Sequence, residues 1–540
     1  MGLGNSEPLH NSSRLEGVRS DLIWGAGAAT APCLLLTPWL IASLGADAAL
    51  LFPLLALLCN YPHYAATWLR FMQLVREGHE PQRRTQLLHV LTLIGMALTL
   101  LNPATLAPFL TLYLLWSPWH YAGQNYGMTL YFLRREKLVL NYDEQRLLRV
   151  SFMASTLMAW LFLMRAGGEA PGLISLSLPK TLASSVGVLA IIAQLSAVAF
   201  ALRRIFRLTR QAQRLYALAP AALLILAQLV WFSSLLLPLM GMRLPFLPAR
   251  LGTGDIAILH CAQYLWFTAQ VQAATSSSEH AGTDRASPRW LKLFSIGALL
   301  WILLPWLLSR GLGADYQHAV LVTTVWVNLH HFVMDGWIWK LRQANVRAAL
   351  GLEPAPPHAH TPLHSATSRC RATWGLLALS LSCLAMTDLY FRRGLLYPDA
   401  PGLRAQLLKL NPNSATLHNF EGVALLEQGA RAQALRHFED ATQIQPLDAV
   451  GWHNLAMLIA DENAPLAIAH LERATTLAPD LYAARLKLGI LYAQAGDARA
   501  RMHLEYAARS PTHRVEAQRW LTGSSSHTNT DEKPLEEKTP

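Results

Sequence analysis

The sequence predicts an all-α protein: a polytopic transmembrane helical bundle of about eleven spans, followed by a soluble α-solenoid. Three observations predict it. Of 540 residues, 52% are apolar and only 15% are charged, a balance that suits a membrane protein with a soluble appendage. Helix-length apolar segments recur from residue 22 to residue 392. Beyond them charge rises and a period near 34 residues sets in.

The segment 1–21 is polar, with Gly4, Asn5, Ser6, Glu7, Asn11, Ser12, Arg14 and Glu16. It lacks the basic start and short apolar core of a cleaved signal peptide, so the first apolar segment is expected to be retained. A spanning helix needs about 20 mostly apolar residues. Such stretches lie near 22–44, 47–71, 87–103, 105–132, 147–166, 181–202, 216–240, 254–275, 290–309, 317–340 and 372–392. The bundle that carries the histidines thus occupies 22–342, and a Pro- and His-rich linker at 343–371 precedes the last span. His358, His360 and His364 in that linker read as solvated side chains, and 276–289 reads as a second unstructured linker.

Basic clusters set the orientation. Arg76, Arg83 and Arg84, then Arg134, Arg135, Lys137, Arg146 and Arg149, then Arg203, Arg204, Arg207, Arg210 and Arg214 all follow even-numbered spans, as do Lys340 and Arg342. The positive-inside rule then puts the N-terminus in the cytoplasm and, with eleven spans, the solenoid on the extracytoplasmic side. The net charge of +11 sits in these short loops. No basic patch with interleaved aromatics accompanies it, which argues against a nucleic-acid partner. Five cysteines (Cys33, Cys59, Cys261, Cys370 and Cys383) form no CxxC pair, so neither a disulfide framework nor a thiolate zinc site is expected.

The C-terminal region, 396–522, is built on a repeat. Pro412, Pro446, Pro479 and Pro511 are spaced 34, 33 and 32 residues apart. Gly422, Ala456 and Gly489 keep that step, as do Ala434, Ala467 and Ala500, then Phe438, Leu471 and Leu504, then Ala441, Ala474 and Ala507. Small and large residues in fixed columns are what paired helices need to approach closely. The pattern resembles tetratricopeptide repeats, with units near 413–446, 447–479 and 480–511, a capping helix near 513–521, and a disordered tail at 523–540. The resemblance implies a protein or peptide partner for the solenoid.

Four apolar segments carry histidine toward the same end: Asn60-Tyr-Pro-His63-Tyr64, Trp119-His120-Tyr-Ala-Gly-Gln124, His260-Cys-Ala-Gln263 and Asn328-Leu-His330-His331-Phe-Val-Met-Asp335. An ionisable ring in a spanning helix is costly and marks a functional site by default. All four segments are even-numbered and run the same way. At about 1.5 Å per residue the rings lie roughly 10–22 Å from the cytoplasmic exits, at overlapping depths. Polar residues share their faces: Asn60, His63 and Thr67; His120 and Gln124; His260, Gln263 and Gln270; Asn328, His331 and Asp335. Metal-bound imidazoles need such partners to fix their tautomers. The expected ligands are His63, His120, His260 and His331, with His330 as the alternative on the last helix. Asp335, Gln124 and Gln263 are expected to orient them. His89 reads as interfacial, and Trp116, Trp119, Trp337 and Trp339 read as belt aromatics.

Imidazole with carboxylate or amide and no thiolate suits non-haem iron, with zinc, manganese and copper compatible. Pro62-His63 and the histidine-aromatic pairs His63-Tyr64 and His120-Tyr121 resemble those of membrane carotenoid-cleaving dioxygenases. That resemblance implies one iron held by histidines from separate helices and a lipid or other apolar substrate. The HxxxH and HxxHH boxes of membrane desaturases are absent from the apolar segments, and the HxxxH spacing of His360 and His364 falls in the linker. Other functions share the layout. A lipid-linked-sugar glycosyltransferase would place an acidic residue in the first external loop, where Asp47 stands. A repeat-bearing scaffold needs no metal, and a proton-coupled transporter would use the intramembrane His and Asp as a relay.

Overall fold

The computed structural model describes residues 19–28, 54–76, 82–138, 140–166, 180–212, 215–233, 251–276, 289–339, 377–383, 385–386 and 401–523. Asp47, the linker 343–371, the linker 276–289 between its first and last residues, and the tail after 523 lie outside them. All regular structure among the described residues is helical. The chain divides into two compact units, one of residues 1–304 and 322–389, the other of 305–321 and 390–540.

The first unit contains α1 (Tyr61–Arg76), α2 (Gln82–Leu101), α3 (Leu106–Arg135), α4 (Tyr142–Ala166), α5 (Lys180–Ala212), α6 (Leu215–Ser233), α7 (Leu251–Ser276) and α8 (Arg289–Ala298). Helix α9 (Leu304–Leu312) continues α8 through a π turn, and α10 (Tyr316–Ile338) starts in the second unit and returns to the first. Proline shapes these rods. Pro62 follows the π turn Ala56–Asn60, and Pro305 follows the π turn Leu299–Leu303. A proline ring removes one N–H and crowds the carbonyl four residues back, and a widened turn relieves both. Pro118 stands inside α3, and Trp160 Nε1 donates to the Leu115 carbonyl nearby at 2.6 Å.

Packing in this unit is tight where backbones meet. A Cβ on Gly297 of α8 would lie 2.4 Å from the Tyr61 carbonyl at the start of α1, so only glycine lets those helices approach. Phe132, Leu133, Leu148, Phe152, Leu218 and Ile225 form one core among α3, α4 and α6.

Three described helices are long and apolar enough to cross a membrane: Arg83–Leu101, Ser185–Arg207 and Trp290–Leu312. About eleven were expected, and the difference has a physical source. Helices α3 and α10 carry His120, Gln124 and Asn125, and Asn328, His330, His331 and Asp335. These residues dilute the apolar run that transfer into hydrocarbon requires. The α1 helix has only 16 residues. The expected spans near 22–44, 216–240 and 372–392 run into residues outside the described ones.

The second unit is a solenoid of paired helices. After α11 (Pro401–Leu410) come three helix pairs: α12 (Ala415–Glu427) with α13 (Arg431–Ile444), α14 (Ala449–Ile459) with α15 (Ala464–Leu477), and α16 (Tyr482–Gln494) with α17 (Arg499–Ala507). Helix α18 (Arg514–Leu521) follows. The sequence columns are its contacts. A Cβ on Gly422 would meet the Phe438 ring at 2.5 Å, and one on Gly489 would meet Leu504 at 2.8 Å. Phe438, Leu471 and Leu504 are all buried.

A second column fixes the start of each pair. His418 Nε2 donates to the Pro412 carbonyl at 2.9 Å, Trp452 Nε1 to Pro446 at 2.9 Å, and Arg485 Nε to Pro479 at 3.0 Å. The turn between α9 and α10 belongs to this unit as well. Asp315 accepts from His318 N at 2.9 Å and from Ala415 N at 3.0 Å, so one carboxylate caps both α10 and α12. Tyr316 N donates to Asn413 O at 2.8 Å, and Asn413 Nδ2 to Ser309 O at 2.6 Å.

Candidate metal centre

Four helices of the first unit each aim one ring at a common point. Helix α1 presents His63 just after Pro62, α3 presents His120 two residues after Pro118, α7 presents His260, and α10 presents His331. The Nε2 atoms of His63 and His331 are 3.0 Å apart, those of His331 and His120 3.2 Å, and those of His120 and His260 3.2 Å. One ring nitrogen from each residue lies within 4.8 Å of all the others. The rings meet edge to face, with centroids 4.6 to 5.0 Å apart around the set. His63, His260 and His331 are buried, and the His120 side chain is 10% exposed, making its edge the open one.

The donor set fits a metal ion. Metal–nitrogen distances of about 2.0–2.1 Å on a tetrahedron put neighbouring nitrogens about 3.3 Å apart, close to the separations found. A metal held by the four Nε2 atoms would leave the ring protons on Nδ1. The Nδ1 atoms of His63, His260 and His331 are buried with no hydrogen-bond partner among the described residues. Their amide neighbours therefore do not perform the expected orienting role. Gln124 Nε2 donates to Gln263 Oε1 at 2.6 Å and to the His260 carbonyl at 3.2 Å, while Gln263 Nε2 donates to the Gly25 carbonyl at 2.7 Å. Gln124 and Gln263 tie backbones together and touch no ring nitrogen. Asn60 accepts from the Cys261 thiol at 3.1 Å, and Asn328 accepts from the Tyr64 hydroxyl.

Asp335 is the polar group that reaches the rings. Its Oδ2 lies 3.6 Å from His120 Nε2 and 3.7 Å from His331 Nε2. Its Oδ1 accepts from the Tyr264 hydroxyl at 2.9 Å and from Thr67 Oγ1 at 3.4 Å. Trp339 Nε1 donates to the Tyr264 oxygen at 2.9 Å, and Thr67 Oγ1 lies 2.9 Å from the same oxygen. Trp339 thus serves this network rather than a membrane belt. Tyr264 stands one helical turn after His260, the spacing by which sequence reasoning could have found it.

His330 does not join the set. Successive side chains on a helix point about 100° apart, so His331 faces the centre and its neighbour turns away. His330 packs edge-on against His89, with centroids 4.9 Å apart.

No family model matches the chain, and no curated protein matches it. Among solved structures it is similar to yeast Tom70, with 13% identity and a TM-score of 0.25 over 82% of this chain and 85% of that one. A likeness that loose bears on neither unit, and the solenoid stands on its own helix pairs.

Proposed function

We propose that the chain is an integral-membrane metalloenzyme, an oxidoreductase acting on a lipid, terpenoid or other apolar substrate. Iron would be held by His63, His120, His260 and His331. The observation that carries this reading is the convergence of four imidazole nitrogens from four helices, each within 4.8 Å of the rest. The donors are all nitrogen, and the one thiol beside them, Cys261, is engaged by Asn60. Such a set suits iron, and it also accepts zinc, manganese or copper. Iron bound there supplies redox chemistry toward dioxygen.

The chain's own groups do the rest. The packed rings fix the donors, so little reorganisation accompanies binding. Asp335 offsets the charge of a cation at the Nε2 atoms, and Tyr264, Thr67 and Trp339 hold that carboxylate in place. His120 forms the accessible edge, flanked by Tyr121 and Phe332 at centroid distances of 6.0 and 4.5 Å. Both rings are buried, so an apolar substrate would approach past the His120 edge itself.

The solenoid would recruit a protein or peptide. Its shared hydrogen bonds with the α9–α10 turn support one common side of the membrane for both. On the eleven-span reading of the loop charges that side would be extracytoplasmic.

Elemental analysis and an absorption spectrum of the full chain purified in detergent test the reading. About one iron per chain is expected, and none in the His63→Ala plus His331→Ala chain with helical content retained. A wild-type chain free of transition metal after purification and after anaerobic loading with ferrous ion would end the proposal.

A further inference from the structure

A second set of converging donors lies in the solenoid, and the repeat itself shows why it is unusual. The residue before each large column position is histidine: His437, His470 and His503. Each faces the residue that donates to the repeat's proline carbonyl. In the second repeat this is Trp452, whose ring lies 5.1 Å from His470. In the third it is Arg485, whose Nη1 is 3.3 Å from His503 Nδ1. In the first it is His418, with Nδ1 3.0 Å from His437 Nδ1. One turn beyond these histidines stand Asp440, Arg473 and Tyr506 in turn. Only the first repeat puts two imidazoles and a carboxylate in one place.

We propose that the first repeat binds a borderline divalent cation of the Zn2+ class, through His418 Nδ1, His437 Nδ1 and an Asp440 carboxylate oxygen. The column fixes the tautomer of His418. Trp452 and Arg485 can only donate at that position, so His418 donates there too, and its Nε2 carries the proton against the Pro412 carbonyl. Its Nδ1 therefore presents a lone pair. That lone pair faces a second imidazole nitrogen and, at 3.5 Å, the Asp440 Oδ2. One ligand atom from each of the three residues lies within 4.8 Å of the others, a spacing that a single cation can bridge. A backbone carbonyl on the remote ring nitrogen is the partner that metal-bound histidines ordinarily keep. Nitrogen and carboxylate donors match zinc, and water completes the shell on the side where Asp440 is 51% exposed. The ion would bridge α12 and α13 across their connection. It would stabilise the first pair, where His418 and His437 already pack with centroids 5.0 Å apart.

This site is independent of the four-histidine centre, and one difference experiment separates them. Full chain in detergent is stripped with chelator and titrated with Zn2+ by calorimetry. The His437→Ala chain should bind one equivalent fewer than wild type, or bind that equivalent about 100-fold or more weakly, beyond what losing an outer-shell partner costs. The Asp440→Asn chain should weaken the same equivalent. His470→Ala, the same column one repeat on, should leave stoichiometry and affinity unchanged. Both His437 and Asp440 are partly exposed, so these chains are expected to fold, and a retained thermal transition in chelator checks it. Equal stoichiometry and affinity for wild type and His437→Ala overturns the proposal. So does an equal loss in His470→Ala, which would make the effect structural.

Discussion

Histidine behaves differently in the two units, and the contrast shows what periodicity can and cannot encode. In the solenoid His437, His470 and His503 share a column because each repeat offers the same slot. A single substitution opposite that slot, tryptophan or arginine to histidine, changes its chemistry without changing the fold. In the bundle His63, His120, His260 and His331 share no period. They meet because Pro62 and Pro118, the π turn before α1, and the close contact at Gly297 set where four rods cross. One cluster is a variation on a repeated contact, and the other exists only at the crossing.

That comparison can be broken experimentally. The largest effect is expected in the solenoid core. Phe438→Ala should destabilise the solenoid by about 3–5 kcal/mol, since a fully buried ring leaves a cavity against Gly422. Chemical denaturation followed by far-UV circular dichroism reads it. A loss under 1 kcal/mol would mean the columns are not the contacts that hold the pairs. Next is Asp335→Asn, which keeps the Tyr264 hydrogen bond and removes the charge beside His120 and His331. Iron retention should fall about 10–100-fold, as for other partners of metal-bound histidine. Unchanged retention in equilibrium dialysis would reduce Asp335 to a packing residue. The smallest is Trp452→Phe, which deletes the donor to the Pro446 carbonyl and trims the ring beside His470, and should cost about 1 kcal/mol. No change in the denaturation midpoint would mean that this hydrogen bond does not help to hold the start of the pair.

Legibility followed the same division. The solenoid is readable because small and large residues recur at one step, and the helix pairs lie where the columns place them. The histidine column keeps that step too, yet the eye is drawn to glycine, alanine and leucine. In the bundle, residue type and helix were readable for each ring, but partners were not. Local spacing assigned Gln124 to His120 and Gln263 to His260, whereas the two glutamines bond each other across helices. Choosing between His330 and His331 needs the rotation of α10, which no local pattern carries. Span counting erred because polar side chains placed for a site lower the apolarity of the helices bearing them. The double cap by Asp315 joins residues 100 apart in sequence, and no local signal announces it.

By itself the sequence determined the helical class, the repeat and its register, and the residue types able to ligate. Composition and periodicity act through local propensity and through burial of one helix face, and both are written in neighbouring residues. Only tertiary structure decided which nitrogens face one another, which carboxylate stands beside them, and which of two adjacent histidines turns inward. Those outcomes depend on helix rotation and crossing to within an ångström. They are set by packing summed over the whole bundle, which no single segment contains.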